Sequence, residues 1–348
     1  MYSANGNYIE EFSSTTDKQY IYGVGNVPDE EILSVENCSQ DKVESLKVGS
    51  SIHKAIRKHI RPHLKPGLKL SELADLIENK CKELTKEKGI NQGIGFPSSL
   101  SVDDCAAHFT PSKEYDVTLN ENSILKVDFG VHVNGWITDS AFTIAFNDKY
   151  KNLLDGVKDA TYTGIKTAGI DVNIKEWGKG IQEVMESYEV EIDGETYPVQ
   201  VIKNLGGHNI LKNRIHGGVF LPGAHIDFYP DNLKFQEGIY AIETFGSTKS
   251  NMIEERKEEN TIFMNKSLTT FKLNKNLSSF YSKILKKFET MPYCTRYLDK
   301  MFTNYQPKME NLVYQDIVSA YPPLHCINGG MTAQYEHTIY LNENKKII

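Results

Sequence analysis

Four carboxylates and one imidazole sit in sequence surroundings where such groups are seldom found. Asp128 and Asp139 lie within the β-branched and aromatic run ILKVDFGVHVNGWITDSAFT, Glu243 within GIYAIETFGS and Glu336 within TAQYEHTIYL. Acidic side chains in apolar strands are rarely buried without a partner. His208 follows a glycine pair in NLGGHNI, which permits close backbone approach, and neutral imidazole is the commonest protein ligand for divalent transition metals. Each residue alone has an ordinary reading: an acid at a sheet edge, a packed histidine. Together they form a donor set suited to Mn²⁺, Fe²⁺, Co²⁺ or Zn²⁺, and a set large enough for two ions.

The turn at Asn134-Gly135 makes part of this geometry predictable. Asn-Gly between apolar runs is a strong signal for a two-residue type I′ hairpin. Val133 then pairs with Trp136, and Asp139 faces Gly130. Asp128 is two residues from Gly130 on the same face, so the two carboxylates become diagonal neighbours roughly 7–8 Å apart at Cα. Two acids converging on one face repel unless they are protonated, hydrogen-bonded or bridged by a cation.

Helices and further strands must hold this arrangement. Apolar spacing predicts a helix from Val43 through Leu46, Ile52, Ala55, Ile56 and Ile60, ended by Pro62 and Lys65-Pro66-Gly67, and a second one capped by Ser71 and ended at Gly89. A second helical pair follows the hairpin, around Leu153 to Ala160 and around Ile174 to Tyr188. Strands are expected near Tyr197 to Ile202, Ile239 to Phe245 and Ala333 to Leu341. The Lys- and Asn-rich segment 260–320 reads as a helical insertion, with Leu277, Phe280, Tyr281, Ile284, Leu285 and Phe288 as its stripe. No fixed-period repeat is present, so the expected class is α+β with an insertion in the C-terminal half.

Composition narrows the function classes. With 348 residues, 39% hydrophobic and 24% charged, the chain is that of an ordinary globular protein. A net charge of −7 disfavours nucleic-acid binding through a broad basic face. Neither a membrane-length apolar run nor a basic-then-apolar leader is visible, so a cytoplasmic protein without membrane contact is expected. Five cysteines without a CxxC pair fit reduced thiols; Cys105 and Cys326 lie near the proposed site in sequence and are read as buried small apolar groups. The first 20 residues are polar and without period, and read as a mobile arm.

The words CAAHFTP, KVDFG, ITDSAFT, LGGHNI, RIHGG, YAIETFGS, YPPL and TAQYEHTIYL, in this order, closely resemble type 2 methionine aminopeptidases of peptidase family M24 from about residue 20 to 345. The resemblance implies the pita-bread fold, two related α/β halves around the metals, filling residues 21–348 with the 260–320 segment as its insertion. It implies two divalent cations per subunit (Co, Mn, Fe or Zn), with Asp128 on one, His208 and Glu243 on the other, and Asp139 and Glu336 bridging. His108 of CAAHFTP and His216 of RIHGG would contact the scissile amide and its carbonyl oxygen, and Glu243 would shuttle a proton. Phe96, Tyr321, Ile262 and Met264 would line the methionine pocket.

By the same resemblance, the activity is hydrolytic removal of the initiator methionine from nascent proteins whose second residue is small and uncharged. Nascent chains, at the ribosome or away from it, are the expected partners, fumagillin-type epoxides the expected inhibitors, and a monomer the expected state. The long charged N-terminal blocks of many eukaryotic relatives have no counterpart in the first 40 residues. Two other readings remain: a prolidase-like X-Pro peptidase, disfavoured by the insertion and the YPPL and TAQYEHTIYL words, and a non-catalytic binding module, disfavoured by the complete ligand set.

Overall fold

The computed structural model describes residues 32–270, 273–343 and 346–347; the arm expected over residues 1–20 lies outside them. Helix α1, Lys42–Ile60, starts where the Asp41 carboxylate accepts from the backbone N–H groups of Val43 and Glu44. It buries Leu46, Ile52, Ile56 and Ile60, each such side chain worth about 1.5–3 kcal/mol. Helix α2, Leu70–Thr85, begins one residue before the expected cap, with Lys69 at the N-cap. Ser71 instead donates from its backbone N–H and its hydroxyl to the Asp116 carboxylate, at 3.0 and 2.6 Å. That acceptor is remote in sequence, so the local signal was misread.

Strand β1, Gln92–Val102, pairs antiparallel with β3, Ile124–Val133, which forms a hairpin with β4, Trp136–Ala145; the short β2, Cys105–Ala107, lies between them in sequence. The hairpin register is the one the turn dictates, with Val133 opposite Trp136 and Gly130 opposite Asp139. Asn134 and Gly135 have φ of 52° and 77°, the left-handed pair that a type I′ turn requires. Sequence analysis assigned no strand at β1, which contains two glycines and Pro97. Irregularities in its pairing between Ile94 and Phe96, and between Phe96 and Ser99, accommodate them.

Helices α3, Lys151–Thr167, and α4, Ile174–Met185, form the second pair. Tyr188 was expected on the α4 stripe but lies beyond the helix end, and its ring packs where a Cβ on Gly156 would stand. The strand expected over 197–202 is divided: β5, Glu189–Ile192, pairs with β6, Glu195–Pro198, and β7, Gln200–Val201, turns to another sheet. Pro198 has no N–H with which to continue the ladder. Then come β8, Gly206–Ile210, β9, Phe220–Pro222, β10, Gly238–Ser247, and β11, Ile253–Glu255.

Segment 260–320 holds strands as well as helices. Its elements are β12, Ile262–Asn265, α5, Lys275–Phe288, β13, Tyr293–Cys294, α6, Thr295–Asp299, α7, Gln306–Tyr314, and β14, Val318–Tyr321. The three strands pair in the order β13-β12-β14, and the segment packs around Phe280, Tyr281, Ile284, Tyr293, Leu298 and Leu312, an apolar cluster separate from the main core. The chain returns through β15, Leu324–Cys326, and β16, Thr332–Leu341, to β17, Lys346–Ile347. Strand β16 pairs with β10 along its whole length, in a sheet ordered β17-β16-β10-β8-β9.

The two halves meet where β4 lies beside β16. Serine and threonine hydroxyls stitch these strands together in place of a backbone ladder. Ser140 Oγ donates to the Glu336 carbonyl at 2.7 Å, Thr143 Oγ1 to the Gln334 carbonyl at 2.7 Å, and Thr338 Oγ1 to the Asp139 carbonyl at 2.8 Å. Among the described residues no helix is long and apolar enough to cross a membrane.

Candidate metal centre and active site

The β4–β16 seam places Asp139 beside Glu336, and the β10–β16 register sets Glu243 directly opposite Glu336. Asp128 arrives from β3 and His208 from β8, where it pairs with Ala241. Gly207 permits this last approach, since a Cβ there would press into the Ala241 carbonyl oxygen. All five side chains line one cleft of about 370 Å³.

The five donor groups crowd together without hydrogen-bonding to His208 Nε2, and three of the carboxylates each keep one oxygen unpaired. His208 Nε2 stands 3.7 Å from Asp139 Oδ2 and 3.8 Å from Glu243 Oε1, too far for hydrogen bonds. Donor atoms of Asp139, His208 and Glu336 all fall within 4.8 Å of one another. One oxygen on each of Asp128, Asp139 and Glu336 is buried without a hydrogen-bond partner, a cost of roughly 1–3 kcal/mol or more for each such group. Burial pushes the Asp128 carboxyl up to about 7. Burial, reinforced by repulsion from neighbouring acids, raises Asp139, Glu243 and Glu336 well above the carboxylate range. Burial, with His216 close by, takes His208 down to about 3, leaving it neutral and free to coordinate. A carboxylate-rich set with one neutral imidazole fits a divalent metal, and the orphaned oxygens say where its charge is needed.

His108 sits above this floor with φ of 66°, an uncommon backbone state for a histidine, held by a hydrogen bond from its backbone N–H to Ser99 Oγ at 3.0 Å. Burial, with His216 nearby, lowers its imidazole to about 4, so the ring is neutral. A neutral imidazole offers one nitrogen as a donor and the other as an acceptor. His216 stands edge-on to His208, with ring centroids 4.6 Å apart, and 5.8 Å from the Tyr321 ring.

Phe96, Ile262 and Tyr321 line the cleft. Gly130 makes room for Phe96, whose ring occupies the place of a Cβ at that position. Met264 is the exception among the expected lining residues: it is absent from the cleft wall and backs Tyr321, its sulfur 4.0 Å from the phenol oxygen. Cys105 and Cys326 are buried, free thiols outside the cleft lining.

Sequence reasoning missed Gln334, whose Nε2 donates to Glu243 Oε2 at 3.0 Å and reaches Asp128 Oδ2 at 3.5 Å, tying the two halves together. Its signal was present, two residues before Glu336 on the same face of a strand. Phe220, an exposed aromatic at the cleft, was also missed; a lone Phe in a loop-like sequence carries no signal.

The metallopeptidase family M24 model matches residues 44–252. Methionine aminopeptidase 2 of Komagataella phaffii is 45% identical over 325 residues, covering 91% of this chain and 72% of that protein. The chain belongs to the methionine aminopeptidase 2 group of family M24. The same-named protein of Neurospora crassa is 42% identical over 332 residues, 93% of this chain and 75% of that one. Among solved structures, a thermophilic Arx1 superposes with a TM-score of 0.71 at 15% identity, over 89% of this chain and 90% of that one. The methionine aminopeptidase of Thermotoga maritima gives 0.57 at 18% identity, over 91% and 98%. At such identities the likeness speaks for the fold, the pita-bread arrangement of family M24.

Proposed function

We propose that this protein is a metalloaminopeptidase that hydrolyses the initiator methionine from the N-terminus of polypeptides whose second residue is small and uncharged. The observation that carries the reading is the cleft floor, where carboxylates from both halves converge on His208 with buried oxygens left unpaired. We assign Asp128, Asp139, His208, Glu243 and Glu336 to two divalent cations, Asp139 and Glu336 shared between them. Bound there, such a pair would supply an activated water and polarise the scissile carbonyl.

The chain's own residues do the rest. His108 accepts from the scissile amide N–H through its acceptor ring nitrogen, and His216 donates to the carbonyl oxygen as charge develops there. Glu243 would take the proton of the attacking water and pass it to the departing nitrogen. Phe96, Ile262 and Tyr321 hold the thioether chain by apolar contact. Residues 260–320 act as an inserted subdomain that brings Ile262, and Tyr321 directly after it, to the cleft. The substrates are nascent chains in the cytoplasm, and fumagillin-type epoxides are inhibitors that alkylate His108.

The test is release of free methionine from Met-Ala-Ser and Met-Gly peptides by chelated enzyme reloaded with Co²⁺, Mn²⁺, Fe²⁺ or Zn²⁺, beside an Ala-Pro control. Methionine release with any one metal supports the reading. Hydrolysis of the control alone, or no turnover with any metal, overturns it.

A further inference from the structure

A second cavity, of about 250 Å³, opens at the junction of α2, the start of β1 and the 260–320 segment. Its polar lining is Lys82, Glu87, His132, Lys287 and Lys300. Three lysines against one glutamate leave positive charge in excess, in a chain whose net charge is −7. Glu87 lies 4.0 Å from Lys287; among the described residues, Lys82 and Lys300 have no carboxylate within salt-bridge range. Lys82 instead stands over the Tyr297 ring at 5.9 Å.

His132 supplies the independent observation. It is 1% exposed, lines the cavity, and its Nδ1 has no hydrogen-bond partner. Its neighbour Gly93 has no side chain to fill the space. A buried polar atom of this kind costs free energy unless something occupies the cavity and bonds to it. The remaining wall includes the apolar Phe288, Met291 and Met301 and the ring of Tyr297, whose buried hydroxyl also has no hydrogen-bond partner. An apolar cavity of about 150 Å³ is enough to hold a benzene ring, so this one has room for a ring and an anionic substituent.

We propose that this cavity binds small anions built on a flat apolar body, such as aryl phosphates, with the anionic group held by Lys82, Lys287 and Lys300 and the ring seated against Phe288, Tyr297 and Met301. The site is separate from the metal cleft, although Pro292 lines both. It takes no part in the peptidase reading and stands or falls without it.

The experiment follows the His132 ring resonances of the zinc-loaded enzyme during titration with phenyl phosphate, with inorganic phosphate and benzylamine as separate arms. Phenyl phosphate should shift them saturably, with a Kd near ~1 mM or below, and should bind more weakly at high ionic strength. The doubly substituted variant Lys287→Ala/Lys300→Ala removes two exposed side chains and should raise that Kd at least about tenfold, with peptide hydrolysis unchanged. Inorganic phosphate should bind more weakly than phenyl phosphate, and benzylamine should leave the resonances unmoved. Unmoved resonances with phenyl phosphate, an unchanged Kd in the variant, or equal response to benzylamine would each overturn the proposal.

Discussion

Replacing Gly207 with alanine tests whether backbone packing behind the metal centre sets its geometry. A Cβ there falls well inside 3.0 Å of the Ala241 carbonyl oxygen and 3.3 Å from the Glu243 backbone nitrogen. Both obstacles are main chain of β10, fixed on its other side by β16, so β8 must move away by roughly half an ångström to an ångström. His208 is the next residue and moves with it, while Glu243 stays. Metal–ligand distances tolerate about ±0.2 Å, so the shift exceeds what the site can absorb. Overpacking of this kind costs about 1–3 kcal/mol, or a loss of several degrees at roughly 2–4 °C per kcal/mol. Metal affinity should fall by about 10–100-fold, as when the support of a ligand is removed. Gly180→Ala is the control: it lies on α4 with nothing within 4 Å of a Cβ, and should be neutral or stabilising by up to about 1 kcal/mol. Calorimetric titration and thermal melts of both variants decide the matter. Wild-type metal affinity in Gly207→Ala would refute the reasoning, whatever its activity.

Asp139→Ala and Glu336→Ala should each abolish turnover and weaken both metal sites, and two sites of unchanged affinity in either variant would remove that residue from the bridge. Added metal should raise the melting temperature of chelated protein, since binding to the native state alone adds about 2.7 kcal/mol at a hundredfold excess over Kd. That gain should grow with pH. Acids raised by burial and mutual repulsion favour the chelated fold fully below their unfolded values near ~4, and that support is lost as pH rises towards the folded values, about 7 for Asp128. Metal removes the penalty, so melting temperatures of loaded and chelated protein should diverge as pH rises from about 4 through about 7, and parallel curves would contradict the cluster. A fumagillin-type epoxide should add to the acceptor nitrogen of the His108 ring, with mass spectrometry placing the adduct on the peptide that contains it; an adduct elsewhere would contradict the geometry drawn for that ring.

How far the sequence could be read depended on the range of the forces involved. The Asn134-Gly135 hairpin came out in register because turn chemistry is local and side chains alternate strictly along a strand. Helices α1, α3 and α4 followed from apolar spacing, for the same reason. Local signals failed wherever the deciding partner was distant: Ser71 looked like a cap but bonds Asp116, and β1 was not assigned because the irregular pairing that accommodates its glycines and proline is with the distant β3. The strands of 260–320 were lost beneath a strong helical stripe.

The seam between the halves marks the sharpest limit. Donor identity was legible because an acid in an apolar strand demands a reason, but nothing local says that β4 must lie against β16. Thr143, Ser140 and Thr338 make that contact with their hydroxyls, and in sequence each is an unremarked small polar residue of a strand. Thr338 also accepts from the Asp139 backbone N–H at 2.8 Å, so a single hydroxyl satisfies both main-chain groups of the proposed bridging residue. Convergence of the site therefore depends on residues that carry no chemistry of their own. A substitution such as Thr338→Val, close in shape but without the hydroxyl, leaves both Asp139 groups unpaired at about 1–3 kcal/mol each. It should loosen metal binding while every ligand remains in place, and calorimetry showing wild-type affinity in that variant would mean that the ladders on either side hold the seam without it.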